Sequence, residues 1–411
     1  MTSLWDELIG QDEAVAVLRD AARAAAVLVS ERGSERGSER GSDAASAGNA
    51  SAFTHAWLFT GPAGSGRSVA ARVFAAALEC ERVADPGCGE CTACHTVRAG
   101  THPDVRIMNP EGLSISVKET REIVQQSARL PSTGRWQVVI IEDADRLGER
   151  AFNALLKAIE EPAPRTVFML CSPSSHPDDI AVTIRSRCRL VGLRTPPAAA
   201  VAAVLERSGI DGATASWAAA AGQGHVGRSR RLAVDDAARE HRTTVLAIPA
   251  SLTSLRACMQ AADQLVSAAK AEADAVSGER DADELEALNT ALGIGATGKG
   301  TAASVRGTAS AIKDLEKRQK SRATRTVRDS LDRALVDLAA FYRDVLLVHA
   351  GADSPRAHPD FDDDVRAVAA RVPPAGVLRR LDAVLACRTA LELNVKPEIA
   401  VEAMTAALRL P

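Results

Sequence analysis

Two groups of residues in this chain have the types and spacing to do chemistry. The first is GPAGSGRS, residues 61–68. A phosphate-binding loop reads Gly, four residues, Gly, Lys, then Ser or Thr. Its backbone amides cradle phosphates, the Lys reaches the β and γ phosphates, and the hydroxyl holds magnesium. Gly61, Gly64 and Gly66 supply the cradle and Ser68 the hydroxyl, but Arg67 stands at the lysine position. Arginine keeps the charge, yet its planar, longer guanidinium is not a point-like ammonium and fits a crowded loop poorly.

The second group is Cys80, Cys88, Cys91 and Cys94, spaced C-x7-C-x2-C-x2-C within CERVADPGCGECTACH. Zinc takes four thiolate or imidazole ligands in a tetrahedron, and a C-x2-C turn places two sulfurs on one ion. Pro86 and two glycines supply the turns. Four free thiols are the plain alternative, and a reducing compartment would not keep disulfides. The spacing predicts a closed structural zinc site whose metal contributes folding energy on the order of 10 kcal/mol. His95 and His102 are spare ligands better suited to surface or capping roles, and Cys171, Cys188, Cys258 and Cys387 are isolated packing residues.

The surrounding elements place both groups. HAWLFTG (55–61) reads as an apolar strand running into the glycine loop, and SVAARVFAAALEC (68–80) as the helix that follows. Strand, glycine loop, helix is the context a phosphate loop needs. WQVVIIED (136–143) and TVFMLCS (Thr166–Ser172) are further buried strands. Helices alternate with them, so an α/β fold with a parallel sheet is expected. An N-terminal helix presents Val15, Leu18 and Ala22 on one face. Strand signals stop after RTPP (194–197), and a small helical bundle over about 198–235 follows. From about 240 the chain reads as helical, with Leu331, Leu335, Leu338, Tyr342 and Val345 on one buried face. The perfect repeat SERGSERGSERGS (30–42) has no apolar side chain, so residues 30–50 are expected to be a flexible insert. Residues 268–330 are charged, with a Gly-rich break at GIGATGKG, and read as an inserted helical arm or loop. No strand precedes GATGKG, so it is not a second phosphate loop.

The chain has 411 residues, 46% hydrophobic and only 3% aromatic, which favours close-packed, Ala-rich helices. Its net charge of −3 gives no global field for nucleic acid. No apolar run approaches the ~20 residues of a membrane span, and the N-terminal residues lack a signal-peptide pattern. A cytoplasmic protein without membrane contact is expected.

Taken jointly, these motifs resemble the clamp-loader group of AAA+ proteins of bacterial DNA polymerase III, and within it the delta-prime branch of actinobacterial type. WDELIGQDEAV, the four-cysteine knuckle after the P-loop helix, THPDVRIMNP, ISVKETREI, NALLKAIEEPAP (153–164) and IRSRC (184–188) carry the resemblance, with LNVKPEIAVEAM more weakly near the C-terminus. It covers roughly the first 235 residues closely. The resemblance implies an AAA+ P-loop domain with a zinc knuckle over 1–195, a helical lid over 196–238 and an all-α collar over 239–411.

The resemblance also implies how the site departs from a working ATPase. Working relatives carry Asp then Glu after the second apolar strand; here Glu142 precedes Asp143. Displacements of about 1 Å can cost ~100-fold in rate. Ser172 stands near a γ-phosphate-sensing Thr, and Gly227 at the place of a lid arginine, with Arg228 following. These changes imply a degenerate site that binds ATP and magnesium weakly or not at all and does not hydrolyse ATP. Arg187 matches the arginine of the family's SRC motif, which reaches the nucleotide of a neighbouring subunit. Supplied in trans, such a guanidinium is worth ~10³–10⁵ in rate; the bland reading is one arginine of RSRCR on a solvated turn.

The implied function is a subunit that helps ATP-driven loading of the sliding clamp onto primed DNA, beside gamma/tau and delta subunits. It would belong to the DNA-directed DNA polymerase holoenzyme, a nucleotidyltransferase, without polymerase activity of its own. The main rival is a gamma/tau-type motor that tolerates Arg67. A zinc-knuckle nucleic-acid binder is the other, and the knuckle's few basic residues and lack of Phe, Tyr or Trp speak against it.

Overall fold

The computed structural model describes residues 3–34, 52–292 and 304–409. Most of the expected insert (30–50) and the GIGATGKG break lie outside the described residues, although the first helix runs to Ser34. The chain forms two compact units, one of residues up to 230 without Glu111–Leu113, the other of those three residues and 231 onward.

In the first unit, α1 (Asp12–Ser34) is followed by β1 (Ala56–Thr60), α2 (Arg67–Glu79), α3 (Thr92–Arg98), β2 (Val105–Met108), α4 (Val117–Ser127) and β3 (Gln137–Ile141). Then come α5 (Glu149–Glu160), β4 (Thr166–Ser172), α6 (Val182–Arg185) and β5 (Arg189–Gly192). Helices α7 (Ala198–Arg207), α8 (Gly212–Ala221) and α9 (Val226–Val234) complete the series. The five strands are all parallel, in the order β2-β3-β4-β1-β5. Successive strand residues point to opposite faces. Trp57, Phe59, Val138, Ile140 and Met169 therefore pack with α1 and α2, while Leu58, Val139, Ile141, Phe168 and Leu170 pack with α5. Both faces are covered, which is why β1, β3 and β4 read as continuous apolar runs.

The edge strands β2 and β5 escape a reading by pattern. Each has four residues, and each carries an arginine, Arg106 or Arg189. An edge strand has less to bury and leaves a shorter apolar signature.

A turn over 132–134 leads into β3, and Asp104 shapes it. Its carboxylate accepts N–H bonds from Ser132 (2.7 Å), Thr133 (2.8 Å) and Gly134 (2.6 Å), and both hydroxyls. Burial pushes its pKa up, but these donors outweigh it and hold the carboxyl below the ordinary aspartate range.

The second unit is helical, from α10 (Asp236–Leu246) and α11 (Ile248–Ser251) through the long α12 (Leu255–Ala291) and α13 (Ser304–Ala350). It closes with α14 (Asp362–Arg371), α15 (Pro374–Glu392) and α16 (Pro397–Arg409). Leu331, Leu335, Leu338, Tyr342 and Val345 are all buried in its core. Buried Arg242 meets Asp360 at 2.6 Å and His358 Nδ1 at 2.9 Å. Among the described residues no helix is long and apolar enough to cross a membrane.

Candidate functional site

The glycine loop leaves the carboxyl end of β1 and turns into α2, whose first residue is Arg67. Two glycines are required by the path. Gly66 caps α2 with φ 89°, a left-handed conformation. Gly64, at φ 84°, lies against His225, so that a Cβ would come within 2.7 Å of the His225 Cα. The loop presents the positive end of α2 and its unbonded amides, a ready site for an anion.

A cavity of about 320 Å³ opens over this turn, lined by residues 64–69, by Leu8, Ile9 and Gln11, and by Pro196, His225 and Gly227. Gln11 fixes the wall: its amide donates to Arg194 O (2.6 Å) and Ser65 O (3.3 Å) and accepts from Arg194 N (3.0 Å). Arg67 Nη1 and Ser65 Oγ are buried without a hydrogen-bond partner among the described residues. A buried donor left unmade costs ~1–3 kcal/mol, and a phosphate oxygen is the acceptor this loop geometry admits. The cradle residues Gly61, Gly64, Gly66, Arg67 and Ser68 thus fit a phosphate anion.

The magnesium side fits less well. Glu142, at the end of β3, is 7% exposed, and its Oε1 is bonded at 2.7 Å by Arg72 Nη2 from α2. Asp143 sits in a left-handed conformation (φ 48°), with its carboxylate 3.6 Å from Arg146 Nε. The Ser172 hydroxyl, buried at the end of β4, donates to Ser174 O at 2.9 Å. Glu142 Oε1 and the Ser172 hydroxyl are thus engaged with their own chain, while the Asp143 contact to Arg146 is longer.

The four cysteine sulfurs lie within 4.8 Å of one another, at the far end of α2 from the loop. Individual separations are 3.6 Å (Cys80–Cys88) and 4.0 Å (Cys88–Cys94 and Cys91–Cys80). Tetrahedral zinc with bonds of ~2.3 Å sets sulfurs about 3.8 Å apart. Backbone N–H groups of Glu90 and Cys94 point at the Cys88 and Cys91 sulfurs. The Cys94 thiol and the Cys88 and Gly87 amides pull the Cys80 thiol well below its usual range, while Cys94 itself is pushed up by that hydrogen bond and by burial. Four sulfurs gathered this closely fit the donor set of a tetrahedral zinc ion. Trp5 clamps the knuckle from outside: its indole N–H donates to Pro86 O at 2.9 Å, and its ring covers Gly87. His95 is exposed, and His102 Nδ1 accepts the Asp104 N–H at 3.2 Å.

Arg187 lies elsewhere. It precedes β5, where Arg189 is the register partner of Trp57, whereas the loop leaves β1 after Thr60. Trp57 and Thr60 are three strand steps apart, about 10 Å, and Arg187 precedes β5 at the end away from the loop. The Arg187 side chain is 39% exposed; Nη2 meets Glu160 Oε1 at 2.5 Å and Nη1 donates to Thr183 O at 2.8 Å. The structure therefore brings the loop, Glu142 and Asp143 to one end of the sheet, the cysteines to the far end of α2, and Arg187 to neither group. Gln11, Arg72, His225, Trp5 and Glu160 escape sequence reading because their roles depend on contacts distant along the chain.

Residues 43–197 match a family model described as DNA polymerase III, delta subunit. The chain is 40% identical over 156 residues to DNA polymerase III subunit delta' of Pseudomonas aeruginosa, covering 37% of this chain and 47% of that protein. It is 40% identical over 138 residues to subunit tau of Bacillus subtilis, covering 33% and 24%. Subunit delta' of Haemophilus influenzae is 36% identical over 143 residues, covering 34% and 43%. The chain thus spans less than half the length of each of these relatives. The loop, the cysteines, Glu142, Asp143 and Arg187 fall within the matched region; His225 and Gly227 lie beyond it.

Proposed function

We propose that the chain is a clamp-loader subunit of DNA polymerase III, a reading supported by the family match over residues 43–197 and by the delta' relatives, and that it is the delta-prime-like member, which hydrolyses no ATP itself and completes a neighbour's site with Arg187. Its role is to help gamma/tau and delta subunits load the sliding clamp onto primed DNA. In this reading residues 1–195 are the P-loop domain, 196–238 the lid and 239–411 the collar, and Cys80, Cys88, Cys91 and Cys94 hold a structural zinc.

The observation that carries the reading is the position of Arg187. It precedes the amino end of β5, whereas its own phosphate loop leaves the carboxyl end of the neighbouring β1. This placement supports a reading in which the guanidinium serves a nucleotide bound by another chain. At its own loop, the Arg67 substitution and the Arg72–Glu142 pair argue against turnover. A phosphate held without hydrolysis remains compatible with the unpartnered donors of Arg67 and Ser65.

The similarity to subunit tau favours a second reading, a motor subunit that tolerates Arg67. Turnover of the isolated chain separates the two. The proposal expects none above background, and none after Arg67→Lys, because Glu142 stays paired. Robust turnover that disappears in Ser68→Ala would establish the motor.

A further inference from the structure

The ion pair between Arg187 and Glu160 has a feature that stability does not explain. Glu160 is the last residue of α5. A helix ends in the partial negative charge of its unbonded carbonyls, so a carboxylate there is unfavourable. Lys157 is the only basic residue in that last turn. The Glu160 and Arg187 side chains are 44% and 39% exposed, and an exposed pair contributes little. Yet the contact is short, 2.5 Å, and joins residues 27 apart in sequence. Nη1 of the same guanidinium donates to Thr183 O at 2.8 Å and Ser186 Oγ at 3.3 Å. Acceptors therefore hold both terminal nitrogens, and the long side chain keeps one direction.

We propose that Glu160 is a positioning residue for Arg187, holding the guanidinium in the orientation from which it enters the nucleotide site of a neighbouring subunit. This rests on the reading of Arg187 as a group supplied in trans. An arginine loses rotamer freedom when it docks, and holding it beforehand removes part of that cost. The holder must also let go. An exposed carboxylate is easily displaced by the denser charge of a nucleotide's phosphates, whereas a buried partner would keep the arginine. Glu160 touches no nucleotide, so its effect falls on the rate constant of the neighbour's turnover and leaves the KM for ATP unchanged.

The test uses the full chain reconstituted with gamma/tau and delta subunits, clamp and primed DNA. Steady-state ATP turnover is read for Glu160→Ala, Arg187→Ala and the double variant. Glu160→Ala is expected to lower kcat about fivefold at low salt, the most an exposed pair is expected to be worth, with KM within twofold. The loss should shrink in high salt. Glu160→Gln, which still accepts a hydrogen bond, should fall between, and it stands in if the alanine variant folds poorly. In the Arg187→Ala background, Glu160→Ala should change nothing further. The melting temperature of the isolated chain should stay level or rise, because the helix terminus loses an unfavourable charge. If Arg187→Ala collapses turnover while Glu160→Ala leaves kcat unchanged or raises it, the positioning role is wrong and the trans reading stands. If Arg187→Ala itself changes nothing, both fall.

Discussion

The two ends of the parallel sheet in the first unit treat their charged groups in opposite ways. At the carboxyl end, where the phosphate loop lies, the polar groups are turned inward onto their own chain. Glu142 is bonded by Arg72, Ser172 by the Ser174 carbonyl, and Gln11 fastens the loop to Arg194. At the amino end, Arg187 is exposed and held by a partner that is itself exposed. The Arg72–Glu142 pair is half-buried, with its carboxylate side chain 10% exposed, whereas both side chains of the Arg187–Glu160 pair are exposed, and an exposed pair is worth about 0–1 kcal/mol. The first end is built to stay as it is, and the second to exchange partners. A subunit that has given up its own chemistry while serving a neighbour's would have both properties.

The cysteine cluster gives the largest effect with which to sharpen this contrast. It lies at the Cys80 end of α2, away from the loop. Stripping zinc with a chelator, or Cys94→Ser, should remove folding energy on the order of 10 kcal/mol from the knuckle. Amide exchange over 80–98 should accelerate by orders of magnitude while that of 61–68 changes much less. Equal loosening at both ends would mean that α2 does not insulate them. Elemental analysis of the purified protein should find one zinc per chain.

Asp104→Asn comes next. Its carboxylate accepts five donors from residues 132–134. At pH 7 the variant should lose about 2–3 kcal/mol in denaturant melts. Because the folded-state pKa is depressed, this stability is fully present above the ordinary aspartate pKa of ~4 and is lost as pH falls below it. The gap between wild type and variant should therefore close towards pH 2. A gap that does not change with pH would assign the loss to packing.

The smallest effect concerns the loop. Arg67→Lys should alter the affinity for nucleotide by less than about tenfold, and adding magnesium should strengthen binding little while Arg72 occupies Glu142. Arg72→Ala should raise the magnesium dependence. Strong magnesium dependence in the unaltered chain would show that the pair opens readily, and would erase the contrast between the two ends.

Much of this was legible in the sequence, for physical reasons. β1, β3 and β4 are buried on both faces and so read as apolar runs, while β2 and β5 are short edges broken by Arg106 and Arg189. The glycine loop and the cysteines declared themselves because backbone turns and metal shells need fixed local spacing. What stayed hidden is long-range. Gln11 meets Arg194 across 183 positions, Arg72 meets Glu142 across 70, and Trp5 meets Pro86 across 81. No spacing rule links such partners; only the closed sheet and its covering helices bring them together.

The most direct test of the central claim compares one substitution at each end of the sheet in the reconstituted complex. ATP turnover with clamp and primed DNA would be measured for Ser68→Ala, at the chain's own loop, and for Arg187→Ala. The account predicts that Ser68→Ala leaves turnover within about twofold. Arg187→Ala should remove the contribution of the neighbour's site, an effect of ~10³ or more at that site. Turnover lost in Ser68→Ala and kept in Arg187→Ala would contradict it, and would make this chain a motor acting on its own nucleotide.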